Sequence, residues 1–386
     1  MSQRHRNVMV AAAVLIAAAG VAGAWEQPEI AKEEVLGAEL LGATGGPKEP
    51  IAPRDVLALS DEMREFLREH VNFGATDVFK LAQLTDAVMG RASLGLEYVE
   101  STYTAAETFR HQRGNCISFA IMFAVLCRGA GIGAHFQEVD IPPDWSIRRD
   151  VYVLNRHINV RVNLGAAGIH IVDFNIADFK STFDTDEISD RRTIAHFYNN
   201  IGFERMEEGD TSEAVAFFRL AIEYSDGDFS PAWTNLGSLY RQAGHLDHAE
   251  AAFLYALKAD RGDDVAMSNL VSLYGAMGQD AKAREYRKRV DEHRMRNPYY
   301  RYKLATDAFL ERDYDTAIRH LKVATRRERK EDEFYFLLGL SHLMKGNEKE
   351  ARKYMNKAEL VAADAAQKDR YSTKIDMLMS ASQKTD

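Results

Sequence analysis

Small residues return every 34 or 35 positions through the second half of this chain, and that spacing limits the fold more than any other feature. Gly202, Gly237, Val271, Ala305 and Gly339 form one series. Ala214, Ala249, Ala283, Ala317 and Ala351 form a second, and Ala221, Ala256, Val290, Ala324 and Ala358 a third. A period of this length is that of a helical hairpin, which cannot bury its own apolar face. Five units must therefore stack into a solenoid, with small residues where two helices touch and large ones between neighbours. The array is expected over 193–362, followed by a capping helix and tail over 363–386.

The best-formed unit reads Trp233, Leu236, Gly237, Tyr240, then Ala249, Phe253 and Ala256. It resembles the tetratricopeptide repeat consensus, which implies an all-α solenoid that binds a protein or peptide. Asn200, Asn235 and Asn269 recur at the same steps. On the first helix of each hairpin they would line the inner groove, where amides carrying donors and an acceptor can take an extended peptide backbone. A purely structural use of the same asparagines fits equally. The basic run from Lys282 to Arg296 is interrupted by Glu285, Asp291 and Glu292 and reads as a solvated helix face. His245 and His248 read as surface residues, so no metal is expected there.

Ahead of the array the chain changes character. Arg4, His5 and Arg6 precede an apolar run from Val8 to Ala24 that closes on Ala22-Gly23-Ala24. That is the pattern of a secretory signal with a small-residue cleavage site, so 1–24 is expected to be removed on export, to the periplasm in a bacterium. An inner-membrane anchor over 8–24 is the alternative. Residues 25–50, rich in Glu, Ala and Gly, read as a linker. The net charge of −9 argues against a nucleic-acid binder.

Residues 51–192 read as an α+β domain of helices packed on a small antiparallel sheet. Apolar residues fall at helical spacing from Met63 to Val88, and Thr104 can cap a short helix. Ile117 to Cys127 is an apolar helix ended by Gly129 and Gly131. Strand patterns cover His135–Val139, Val151–Val153, Ile158–Val162 and Ile169–Phe174, the last two joined by a Gly-containing loop. The glycines at 129, 131 and 133 follow a helix, which excludes a dinucleotide-binding turn.

The chain has two cysteines, Cys116 and Cys127. Along one helix they are roughly 16 Å apart, beyond disulfide reach. Cys127, beside Phe119 and Phe123, belongs to the core. Cys116 follows Gly114-Asn115 and opens the helix, where free backbone N–H groups and the dipole favour a thiolate and can hold an oxyanion. A nucleophilic thiol needs a base and a group to orient it. A hairpin loop centred between Gly165 and Ala166 would bring Asp173 opposite His157 within one residue. A slip of one would separate them onto opposite faces. Asn115 is expected to shape the turn or to assist the oxyanion, and Trp145 to line the cleft or to be an exposed loop residue.

The run Arg113-Gly114-Asn115-Cys116-Ile117-Ser118, the strand Arg156-His157-Ile158-Asn159-Val160 and the strand Val172-Asp173-Phe174 together resemble the transglutaminase-like superfamily of papain-type cysteine enzymes. The resemblance implies Cys116 as nucleophile, His157 as base and Asp173 as its orienting acid. Cross-linking members carry Trp after the cysteine, and here Ile117 stands there, so hydrolysis of an amide or ester fits as well as cross-linking. Asp184, Asp186, Glu187 and Asp190 lack the spacing of a calcium loop, and no cofactor is expected. Two functions follow as expectations: an exported cysteine hydrolase or acyl-transferase whose repeats hold a protein or peptide, or a non-catalytic binding scaffold with a degenerate domain.

Overall fold

The computed structural model describes residues 26–43, 45–90, 94–139, 146–148, 151–153, 157–174, 183, 185–362 and 365–382. The apolar run 8–24 and Trp145 lie outside them. Among the described residues no helix is long and apolar enough to cross a membrane.

The described chain begins with α1 (Lys32–Gly37) and a short 3-10 turn (Glu39–Leu41). This corrects the linker expected over 25–50. Val35, Ala38 and Ala43 are fully buried against the repeats. The backbone of this strap is satisfied by repeat side chains. The Tyr240 hydroxyl donates to Val35 O at 2.7 Å and Tyr255 to Ile30 O at 3.1 Å. The Arg219 guanidinium donates to the carbonyls of Leu36, Gly37, Ala43 and Gly45. Glu26 meets Lys282 at 2.7 Å, and Lys48 meets Asp210 at 2.9 Å. The strap has few apolar residues of its own, so its order is dictated by its seat and not by its own pattern.

The α+β domain follows. Helices α2 (Pro53–Val56), α3 (Asp61–His70) and α4 (Asp77–Met89) come first. Ser60 caps α3 by accepting from Met63 N at 3.3 Å. Strand β1 (Glu97–Tyr98) runs parallel to β2 (Arg113–Gly114), with α5 (Ala105–His111) between them in sequence. Thr104 and Glu107 start α5 with a reciprocal capping box. Helix α6 (Cys116–Gly129) is buried from Ile117 to Cys127, as a helix apolar on every side must be.

Next come β3 (Ala134–Val139), β4 (Ser146–Arg148), β5 (Val151–Val153), β6 (His157–Asn163), β7 (Ile169–Val172) and β8 (Thr185–Ile188). The main sheet has the order β7-β6-β3-β8 and is antiparallel throughout. Phe136, Ile158, Val160, Val162 and Val172 share one core with α6. Strands β4 and β5 form a separate hairpin whose second strand packs on the repeats.

Ten helices then build five hairpins. They are α7 (Asp190–Glu208) with α8 (Thr211–Tyr224), α9 (Ser230–Gln242) with α10 (Leu246–Ala259), and α11 (Asp264–Ala276) with α12 (Asp280–Arg294). The last two are α13 (Pro298–Leu310) with α14 (Tyr314–Arg327), and α15 (Asp332–Met344) with α16 (Glu348–Val361). Helix α17 (Ala365–Ser382) packs on the end. The repeated small position has a steric cause. A Cβ at Gly237 would lie 2.7 Å from the Phe253 ring, and one at Gly339 would lie 2.6 Å from Met355. The turn between the helices of four hairpins is closed by a glycine at positive φ: Gly209, Gly244, Gly278 and Gly346. In the fourth hairpin Arg312 occupies that place, with φ 64°.

The buried side chains fall into unequal bodies. One continuous core runs from the α+β domain through α12, ending at Val290. Helices α13, α14 and α15 share a second core, from Ala305 to Leu338. The first repeat helix is also riveted to the α+β domain. Arg128 makes paired 2.8 Å bonds to Asp190, Arg192 meets Glu138 at 2.6 Å, and the Tyr198 hydroxyl reaches Ile51 O at 2.8 Å.

Candidate functional site

Cys116 opens α6, and Asn115 is the residue that starts the helix. The Asn115 side-chain oxygen accepts from Ser118 N at 3.1 Å and from the Ser118 hydroxyl at 2.8 Å. Its amide nitrogen donates to Thr102 Oγ1 at 2.8 Å and to Glu100 O at 3.3 Å. Both ends of that amide are occupied by the turn. A Cβ at Gly114 would lie 2.6 Å from Ser118 Cβ, so glycine is what lets the chain pass under the helix start.

His157 begins β6, and its Nε2 lies 2.8 and 2.7 Å from the two carboxylate oxygens of Asp173. Both side chains are only 5% exposed. Asp173 takes Nε2 and leaves Nδ1 to the other side of the ring, and Cys116 lies near enough to the imidazole to raise its pKa. Burial alone would push the His157 pKa down. Asp173 and Cys116 together outweigh it and raise the value from 6.5 to about 9. Cys116 is half-buried, whereas Cys127 is fully enclosed, and burial pushes its thiol up to about 12.

The route by which Asp173 reaches His157 differs from the expected one. The loop centres on Ala166, with Leu164 N donating to Gly168 O at 2.9 Å, and Val160 pairs with Val172. Continued by one residue, that register sets Asp173 opposite Asn159 and one diagonal step from His157. The shift is by two positions and not one, so the face is conserved and the contact survives.

Asn159 was not anticipated. Its Nδ2 donates to Asp173 Oδ2 at 2.9 Å, and its Oδ1 is buried without a partner. Two residues beyond His157 on one strand, it had to alternate onto the same face, and that spacing was the available signal. Tyr98 on β1 was also missed. Partial desolvation, and then the charge of nearby Cys116, raise its phenol. Its ring is well exposed.

The asparagine series does not form an open ladder. Asn235 donates to Asn199 at 2.9 Å and not to Asn200, which is half-buried. Asn269 is fully buried, and neither of its side-chain polar atoms has a partner. It lies on α11, the helix against which β5 packs. His245 and His248 are not free surface either. They face the strap, His245 at 3.2 Å from Leu40 O and His248 at 3.4 Å from Glu34. The basic run is paired internally or across helices, as in Lys282 with Glu250 at 3.0 Å and Arg294 with Asp264 at 3.6 Å. Among the described residues no cluster of side chains could hold a metal ion.

Comparison with known proteins follows the same division. The family model of the transglutaminase-like superfamily matches residues 64–166. That of the tetratricopeptide repeat matches 195–228, 230–263 and 332–364. No curated protein matches the chain. Among solved structures, the crystal structure of MamA protein is 21% identical, covering 43% of this chain and 91% of that one, at a TM-score of 0.24. YrrB, a TPR protein with an unusual peptide-binding site, is 20% identical over 46% of this chain and 92% of its own, at 0.24. MamA from Desulfovibrio magneticus RS-1 is 17% identical over 43% and 94%, at 0.24. The chain carries a transglutaminase-like superfamily domain followed by tetratricopeptide repeats.

Proposed function

We propose that this protein is a cysteine-dependent hydrolase or acyl-transferase acting on a peptide or protein amide or ester, and that its repeats hold the substrate or a partner. The observation that carries the reading is the buried His157–Asp173 pair, with Cys116 beside it at the mouth of α6. His157 Nδ1 takes the proton of the Cys116 thiol as the sulfur attacks the carbonyl carbon. The oxyanion faces the unpaired N–H groups of the first turn, that of Cys116 included. The same imidazole returns its proton to the leaving amine or alcohol, and a thioester remains. Water, or an amine, then attacks the thioester with His157 again as base and releases the sulfur. Asp173 holds the ring and offsets the imidazolium charge, and Asn159 holds Asp173. On this reading the apolar run 8–24 takes the chain out of the cytoplasm, cleaved as a signal or kept as an anchor.

The experiment is alkylation of the intact protein by a thiol-directed electrophile at neutral pH, followed by mass. Cys116→Ala abolishes fast labelling, because Cys127 is enclosed and protonated. His157→Ala slows labelling by at least about tenfold, the low end of what a positioned base contributes. Equal labelling of wild type and His157→Ala would remove the enzyme reading and leave a binding scaffold.

A further inference from the structure

We propose that Glu204, on the first helix of the repeat array, is a positioning residue for Cys116, so that the nucleophile's geometry is set in part from the repeats. The inference rests on the reading of Cys116 as nucleophile. A continuous chain of hydrogen bonds carries it. Thr102 N donates to Glu204 Oε1 at 2.8 Å. Thr102 Oγ1 accepts from Asn115 Nδ2 at 2.8 Å. Asn115 Oδ1 in turn accepts from Ser118 N at 3.1 Å and from the Ser118 hydroxyl at 2.8 Å. Ser118 Oγ accepts from Tyr103 N at 2.9 Å, which closes the chain back onto the residue after Thr102. Cys116 lies between Asn115 and Ser118. Thr102, Asn115 and Ser118 are all buried, so water does not compete for these bonds.

Direction along this chain is decided at Glu204. An ionised carboxylate only accepts; the Thr102 amide donates to it at 2.8 Å, and the Thr102 hydroxyl beside it is free to donate there too, both countering the burial that raises that carboxyl's pKa on balance. The threonine has a single O–H to give. Giving it to Glu204 leaves its lone pair for the Asn115 amide nitrogen. Asn115 is thereby oriented with its oxygen toward Ser118 N, which is the bond that starts α6 behind the thiol. Without the carboxylate, the Thr102 hydroxyl can rotate and the Asn115 amide can turn over. Glu204 comes from α7, the helix that also carries Asp190 and Arg192 in their pairs with the α+β domain. A partner that shifts the first hairpin therefore acts on the Cys116 turn through Glu204.

The test is the alkylation rate of Cys116 in the full chain, using iodoacetamide. Glu204→Ala slows it by roughly 3- to 30-fold, the range over which members of such networks act on a distant site. Glu204→Gln, which keeps an acceptor oxygen, restores most of the rate at an unchanged melting temperature. Glu208→Ala, one turn on and exposed, matches wild type. A rate for Glu204→Ala equal to wild type overturns the inference, as does a Gln variant as slow as Ala. Should Glu204→Ala not fold, Thr102→Val removes the hydroxyl and keeps the amide, and an unaltered rate in that variant overturns it equally. Sensitivity to His157→Ala without sensitivity to Glu204 sinks this inference alone. Insensitivity to His157→Ala sinks the nucleophile reading and takes this inference with it.

Discussion

The first three hairpins and the last two share a period but not a mechanical setting. The first three are enclosed by their own chain: the strap lies along α8, α10 and α12, β5 packs on α11, and one core joins them to the α+β domain. The last two have a separate core, ended by α17. In a solenoid, stability is close to a sum of units and nearest-neighbour interfaces. What brackets a hairpin, and not its consensus, then decides whether it moves with the transglutaminase-like domain. The front of the array is part of the α+β domain's framework, whereas the rear has a core of its own.

The largest effect that separates the two regions comes from matched core lesions. Phe253 fills the notch at Gly237 and is fully buried, so Phe253→Ala should cost about 3–5 kcal/mol. Leu338 is as deeply buried in the rear core, and Leu338→Ala should cost about 2–5 kcal/mol. The expected difference lies in what else is lost. Trp233 is buried on α9, so once Trp25 and Trp145 are replaced by Phe the fluorescence follows the front while far-UV circular dichroism follows both. Phe253→Ala should lower the fluorescence transition and Cys116 alkylation together. Leu338→Ala should lower only a part of the dichroism transition. A single coincident transition in both variants would dissolve the distinction.

A second test uses pH and touches the front alone. His157 binds its proton more tightly folded, with a pKa raised from 6.5 to about 9, than it would unfolded. The stability this contributes is complete below 6.5 and is lost as pH climbs to about 9. Its size is up to about 3 kcal/mol by linkage. Asp173→Asn should flatten the front's stability between those two pH values and leave the rear's unchanged. Smaller still is the strap. Arg219→Ala strands carbonyls that its guanidinium now satisfies, at about 1–3 kcal/mol. A Glu-specific protease should then cut at Glu33, Glu34 or Glu39, sites resistant in wild type, with rear fragments unaltered.

The repeats were readable because each hairpin obeys the same steric rule, a small residue where the aromatic of the facing helix enters, and the rule leaves a fixed period. Cys116 was readable for a local reason as well, since Gly114 and Asn115 write the helix start beside it. His157 and Asp173 needed a register, and the expected one was off by two. Their contact survived because side-chain alternation repeats with that same step. The strap was not readable. Its carbonyls are taken by Arg219, Tyr240 and Tyr255, up to about 225 positions away, and none of those residues announces a partner. The period of the asparagine series is real, but it did not announce that Asn235 bonds Asn199 or that Asn269 is fully buried. Glu204 and Asn159 are visible only once a backbone places them.

The smallest expected effect is also the one that speaks most directly to the rear. Gly209, Gly244, Gly278 and Gly346 end the first helices of their hairpins in the left-handed region, and Arg312 does the same in the fourth at φ 64°. An L-residue there bears a cost of about 1–2 kcal/mol from its Cβ against the neighbouring carbonyl. Glycine avoids that cost but adds about 0.5–1 kcal/mol of chain entropy to the unfolded state. Arg312→Gly should therefore stabilise the rear body by about 0.5–1 kcal/mol, read as a rise in its dichroism transition, with no movement of the fluorescence transition. The mirror substitution, Gly244→Arg, should lower the front by a similar amount. If Arg312→Gly instead raised both transitions equally, the seam between α12 and α13 would transmit stability as fully as any other in the array, and the rear would have to be counted with the front.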